Sequence, residues 1–433
     1  HLEEDAGKSL HPEGKEGVAS LTAEMLRKGA GKRSAEQIAE AVDGVGGALA
    51  TGAGMEGFYV SGEFMTGDAD LMIELVESVL RKPAFPDSEF VKLRGQNVDG
   101  IVALKDDPGN VFRAYGSAYF YGAHPYGRPV GGDEATVAAL TRDDVLGCYR
   151  DQFGGDRLIL VVVGDFAVST MDPKLRAAFG DWGKAAGALP RVTEPERVGG
   201  RRVLLVDKPD ATQTYFWIGN RGVSVLDSDR DVLDVANTSF GGTFASLLNT
   251  ALRVKSGLTY GASCRLQRLS AGGSVGIGSY TKTESTQKAI DLTLETLRAF
   301  RAAGLETARL SSARNYINGQ FPTGLETAGQ LATLPAQRLV EALGTDDPLE
   351  KGSMTFWSVM DHDTLPRHPF VPDAPRESAH IPVIIGNTRD EACAFTASDE
   401  RNFHLTWDTV AAKLALQKKD FSAKFPNIVI QNT

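Results

Sequence analysis

Hydrophobic residues recur at helical spacing in "GVASLTAEMLRKG" (residues 17–29), predicting an amphipathic helix opened by a glycine and closed by basic residues. The same period returns in "AEQIAEAVDGVG", where Ile38, Ala41 and Val42 share one face. "GGALATGAGMEGFYVSGEFM" alternates instead, most clearly from Phe58 and Val60 onward, and predicts two strands around a glycine-rich turn. "DADLMIELVESVLRKP" is a strong helix pattern, capped by Asp68 or Asp70 and ended by Pro83. "DSEFVKLRGQNVDGIVALKDDP" predicts a helix that stops before Pro108. "TRDDVLGCYRDQF" predicts another, with Thr141 as N-cap and two acids in its first turn. "RLILVVVGDF" has the continuous apolar run of a buried strand.

A segment of small residues, glycine and proline, "GKAAGALPRVTEPERVGG", then marks a boundary. Beyond it the order of elements repeats. "GGSVGIGSYTKTESTQKAIDLTLETLRAF" (272–300) parallels "GFYVSGEFMTGDADLMIELVESVLRKPAF" (57–85): an alternating strand, a polar turn, an amphipathic helix. A further helix follows in each, and two copies of one α+β domain explain the pattern most simply. Near residue 350 the character changes to a proline- and histidine-rich stretch that fits neither copy. The expected division is 1–187, a linker at 188–200, then 201–351 and 352–433.

A length of 433 residues exceeds one ordinary core and agrees with several domains. The net charge of −10 argues against nucleic acid as the main partner. No apolar run approaches the roughly 18 residues of a membrane span. Cys148, Cys264 and Cys393 lie far apart and read as isolated thiols, with no metal spacing or disulfide framework. The chain opens at His1, which suggests a processed form or fragment. Bacterial periplasm and cytoplasm both remain open.

Three stretches carry a resemblance. "PEGKEGVASLTAEMLRKG", "YGAHPYGRPVGGDEATVAALTRDDV" (121–145) and "FGGTFASLLNTALRVKSGLTYGAS" (240–263) resemble segments of the pitrilysin/insulinase-type, mitochondrial-processing-peptidase-like metallopeptidases. The resemblance implies an α+β fold of two homologous α/β sandwich domains, each a mostly antiparallel sheet with helices on one face. In catalytic members the first helix carries HxxEH. Two histidines one turn apart bind zinc and the glutamate activates water. On this match Ser20 and Glu24 stand where the histidines would be, Ala23 stands for the glutamate, and the later ligand falls near Asp99. Before residue 352 the only histidines are His1, His11 and His124. The resemblance therefore implies no zinc or other cofactor on this chain, with zinc expected on a partner.

The third stretch implies a positive role. An arginine and a tyrosine seven residues apart reach the zinc site of the catalytic half in the family, and "RVKSGLTY" places Arg253 and Tyr260 at that spacing. The pattern sets Arg253 in the last turn of a helix, Gly257 at its left-handed exit, and Tyr260 at the start of a strand. Guanidinium and phenol aimed at a forming oxyanion are an electrostatic device. From spacing alone, Arg253 could equally pair with an acid and Tyr260 be half buried.

Residues from about 354 on resemble a fragment of the type-B carboxylesterases of the α/β-hydrolase fold, on "LPRHPFVPDAP" and "IPVIIGNTRDEACAF", with Glu391 in the place of the triad acid. The nucleophile elbow is missing. "GGSVG" fits GxSxG at Ser274 but lies in an alternating strand, and His404 follows Glu391 too closely. The first copy lacks its opening strand and the second its closing strand and helix, so a fusion or mis-assembled frame is expected.

Together these readings predict a non-catalytic subunit of a heterodimeric zinc metallopeptidase. It supplies Arg253 and Tyr260 in trans to unfolded peptide held as an added strand beside an HxxEH-bearing chain. Purely structural subunit of the same fold and esterase are the alternatives.

Overall fold

Burial on nearly every side explains the first helix better than amphipathicity does. In Val18–Met25 the side chains of Ala19, Leu21, Ala23 and Met25 are wholly sealed. A helix apolar all round belongs inside its layer, and this one packs on the antiparallel hairpin Ala48–Ala53/Phe58–Glu63 and on helices Asp87–Leu104 and Arg142–Gln152. The computed structural model describes residues 12–189, 192–196, 199–209 and 211–332. The chain divides between residues 346 and 347, and every described residue lies in the first unit. The expectations for 352–433, including Glu391, His404 and the hydrolase-like fragment, lie outside the described residues.

Gly17, at φ +92, opens the first helix. A Cβ there would meet Val137 Cγ2 at 2.7 Å and the Gly131 carbonyl oxygen at 2.8 Å. The segments 12–29 and 121–145 are thus pressed together, and a side chain would wedge them apart. Arg27 ties the other end to the hairpin, donating from Nη1 to the Leu49 carbonyl at 3.0 Å and from Nε to Thr51 Oγ1 at 3.2 Å.

The local signals hold in most places. Ser34 and Gln37 form a reciprocal capping box on Ala35–Asp43, whose Ile38 and Val42 face the core. Thr141 and Asp144 do the same on Arg142–Gln152. Asp68 takes the N-cap position of Ala69–Arg81 without a side-chain bond.

The helix Asp87–Leu104 stops before Pro108 as expected, and a further helix that the pattern did not predict, Pro108–Tyr121, begins there. Asp107 accepts from the Asn110 N–H at 2.8 Å, and proline in the first turn forfeits no helical bond. The run 157–166 is not in a sheet, and Ile159 and Leu160 are 43% and 38% exposed. Apolar content makes a strand only where a neighbour completes the ladder, and among the described residues none does. The segment 203–206 is alike, with Leu205 89% exposed.

The second half builds one antiparallel sheet. Gly272–Lys282 lies at its centre, between Gln213–Gly222 and Ala262–Leu269. Phe216 and Ile277 of the sheet pack with Phe240, Leu248, Leu252 and Ala289. The repeat read from sequence is visible as order. Strand Phe58–Glu63, a 3₁₀ turn and helix Ala69–Arg81 match Gly272–Lys282, a 3₁₀ turn and Thr286–Ala303. Helices Asp87–Leu104 and Thr307–Thr323 follow. The result is a mixed α/β fold of helices and antiparallel sheets.

A polar clasp joins the halves. The Tyr126 hydroxyl, on a side chain 1% exposed, donates to Glu56 Oε1 at 2.5 Å and accepts from the Ala271 N–H at 3.1 Å. The Ser270 N–H lies 3.0 Å from both Glu56 oxygens, and its hydroxyl also bonds Glu56 Oε1. Beside it, Phe120 meets Trp217 edge to face at 5.0 Å, and the Arg221 guanidinium lies 4.9 Å and 4.7 Å from the Phe120 and Tyr121 ring centres.

Burial, then the bond to Glu56, pushes the Tyr126 phenol up to about 12. The folded chain therefore keeps a proton that an unfolded tyrosine releases near pH 10. Stability is fully present below about pH 10 and lost as pH rises toward 12. Tyr126→Phe leaves Ala271 and Glu56 short of a partner and should cost about 1–3 kcal/mol at pH 7. Urea titrations at pH 7 and across pH 9–11 should show that cost and a shallower alkaline decline in the variant. Identical midpoints throughout would remove the clasp from the stability of the fold.

Candidate functional site

The first helix leaves one partly open face, which carries Ser20, Glu24, Arg27 and Lys28. Ser20 and Glu24 are one turn apart and share it. Ala23 is sealed, at 0% exposure. Across from the helix, the Asn97 side chain lies close enough to Glu24 to favour its ionised form. Asp99 was expected near this point, but it is exposed on the same helix as Asn97. Two helical residues span about 200° of rotation, so both cannot face Glu24. The structure therefore brings Ser20, Glu24 and Asn97 to one place and leaves Asp99 outside.

These residues do not fit zinc. A hydroxyl, a carboxyl and a carboxamide lack imidazole or thiolate, and Ala23 has no proton to accept or give. Among the described residues no group of three or more His, Cys, Asp or Glu could hold a metal ion. His124 is committed elsewhere: its Nδ1 accepts from the Tyr126 N–H at 3.1 Å and its Nε2 lies 2.9 Å from the Thr193 carbonyl.

The second candidate pair sits on unusual backbone. The pattern predicts a regular helix over 244–256, yet the chain makes one α turn, Leu247–Asn249, and passes into a π turn, Thr250–Lys255, that carries Arg253. Single π turns are rare and concentrate at functional positions. Gly257, at φ +64, closes it, and the Leu258 N–H returns to the Leu252 carbonyl at 2.9 Å. Tyr260 lies in the following loop, two residues before strand Ala262–Leu269 rather than at its start. The loop is pinned from beneath. Thr281 Oγ1 donates to the Leu258 carbonyl at 2.6 Å, and Ser279 Oγ donates to the Gly261 carbonyl at 3.0 Å.

Tyr260 is 78% exposed and, among the described residues, its hydroxyl has no hydrogen-bond partner. Arg253 is half-buried and pairs with no described acid. Its guanidinium lies 4.4 Å from the centre of the Phe244 ring. Among the described residues, neither side chain is committed to an acid of its own half. Ser274 is no rival nucleophile: it is buried in a straight strand and its hydroxyl bonds Gln267.

Sequence reasoning missed Asn249. This residue, 3% exposed, donates from Nδ2 to the Phe244 carbonyl at 2.7 Å and accepts at Oδ1 from the Ala262 N–H at 3.2 Å. It joins the loop before the π turn to the strand after Tyr260. A lone asparagine on the apolar face of "SLLNTAL" was the available signal.

A buried first helix without zinc-ligand chemistry is thus followed by a second half that displays an arginine and a tyrosine. Comparison agrees. Residues 4–134 match the model of insulinase, peptidase family M16, and residues 139–317 match the peptidase M16 inactive domain. The chain belongs to peptidase family M16. It is 26% identical over 321 residues to an uncharacterised zinc protease of Streptomyces coelicolor, covering 73% of this chain and 70% of that one. A second such protein, of Mycobacterium leprae, is 25% identical over 311 residues, covering 72% and 70%. The peptidase M16 inactive domain from Pseudomonas fluorescens superposes with a TM-score of 0.69 at 22% identity, over 78% of this chain and 82% of the other. A protease from Helicobacter pylori gives 0.71 at 20%, over 78% and 83%. No helix among the described residues is long and apolar enough to cross a membrane.

Burial raises the Glu24 carboxyl above the usual glutamate range, against the opposing effects of Asn97, Lys28 and Arg27. The folded chain thus favours the neutral acid, and ionised Glu24 costs stability at neutral pH. Glu24→Gln should raise the denaturation midpoint at pH 7 and leave it unchanged below pH ~4, where an ordinary glutamate is also protonated. Equilibrium dialysis against zinc should leave the chain without metal at this face. Stoichiometric zinc that disappears in Glu24→Gln would overturn the assignment of a non-metal site.

Proposed function

We propose that this chain is the non-catalytic subunit of a two-chain zinc metallopeptidase. It organises as 1–187 and 201–351 around a linker at 188–200. Its partner is a chain of the same family that carries HxxEH, and the substrate is unfolded peptide. The partner's zinc and glutamate supply the hydrolytic chemistry. This chain contributes binding groups. The Arg253 guanidinium offers N–H donors to peptide carbonyls, and the Tyr260 hydroxyl offers one more. Donors fixed before the reaction stabilise charge as it develops on a carbonyl oxygen.

The observation that carries this reading is the uncommitted pair: Tyr260 is 78% exposed and Arg253, on its π turn, has no described acid partner. A purely structural subunit would have no use for such a display. The metal-poor first helix adds the need for a partner, and the names of the zinc protease relatives fit the proteolytic setting.

The test is co-expression with an HxxEH chain of the family and assay on a quenched fluorescent peptide. Hydrolysis should require both chains. Arg253→Ala and Tyr260→Phe should each lower kcat by about 10²–10³, the cost of one oxyanion donor, with subunit association unchanged by sedimentation. Full turnover in both variants would leave this chain a purely structural role.

A further inference from the structure

We propose that Phe244 is a positioning residue for Arg253. This inference rests on the function proposed above and adds a residue to it. Phe244 is a large aromatic side chain left 67% exposed on a surface loop. Its only described ring contact is the Arg253 guanidinium, 4.4 Å from its centre. Packing therefore does not explain its size or its aromatic character. The backbone beneath it is held hard. The buried Asn249 carboxamide bonds the Phe244 carbonyl, and Ser246 Oγ accepts from the Asn249 N–H at 3.3 Å. The ring is carried by a fixed loop, while no carboxylate among the described residues fixes the arginine.

The geometry assigns the ring that task. An arginine side chain has several free torsions, and each costs entropy when a substrate must freeze it. A ring face attracts the guanidinium through its quadrupole, without consuming the N–H donors in the guanidinium plane. A carboxylate would hold Arg253 more strongly but would occupy those donors and neutralise the charge. Phe244 aims the group and leaves its hydrogen bonds for the peptide.

The experiment is a double-mutant cycle in the reconstituted two-chain enzyme, read with the same fluorescent peptide. Phe244→Leu, which keeps the apolar bulk and removes the ring, should lower kcat/KM about threefold, the scale of an exposed cation–π contact. Phe244→Trp should restore it. In an Arg253→Ala background, Phe244→Leu should change nothing further. An equal loss in that background would mean Phe244 acts independently of Arg253 and would overturn the proposal. In the isolated chain, the Arg253 Nε–H resonance should carry a ring-current shift that Phe244→Leu abolishes and Phe244→Trp retains. No change in that resonance overturns the inference whatever the enzyme does. If Arg253→Ala itself leaves turnover intact, the two-chain reading fails and the positioning role falls with it.

Discussion

The architecture turns on one shared carboxylate. Glu56 leaves the glycine-rich turn of the first hairpin and gathers a phenol, a hydroxyl and a backbone N–H from segments 70 and 214 residues away in sequence. Beside it the halves are joined by the linker, by ring contacts and by single hydrogen bonds such as that from the Tyr119 hydroxyl to the Val203 carbonyl at 3.1 Å. Those contacts put aromatic rings from the Pro108–Tyr121 helix against Trp217 and Arg221 of the first strand of the second half. Glu56 and Ser270 are exposed, and the buried member of the clasp is Tyr126, whose hydroxyl would lose both its partners in any other arrangement. Everything argued for the second half assumes a surface held in a fixed attitude to the first.

Local chemistry was legible where it is local. Thr141 and Gly257 fulfil capping roles that depend on a few neighbouring residues. The repeat could be read because the strand, turn and helix periods survive without sequence identity. Features set by distant partners were not legible. The run 157–166 is apolar enough for a strand, but a strand is a relation between two segments. Asn97 could not be told from Asp99 by counting along the chain, since which of them meets Glu24 depends on how two helices cross. The π turn under Arg253 has no residue signature, and Phe244 looked like one more hydrophobic position.

The two helices that matter differ in how they hold their key side chains. The first is constrained on all sides, and its would-be ligand face is the residue of surface left after packing. The second is short, changes its winding midway and is held by side chains such as Asn249. One is a keystone and the other a mount.

That difference decides which substitutions the first helix can take. Positions 20 and 24 lie on its open face, so larger polar side chains fit there without disturbing the core. Position 23 is another matter. Ala23 is completely enclosed, and a glutamate installed there would have to bury a carboxylate or push its neighbours outward. The packing closes over the space that a carboxylate at position 23 would need. Positions 20 and 24 remain open to polar side chains, whereas position 23 does not.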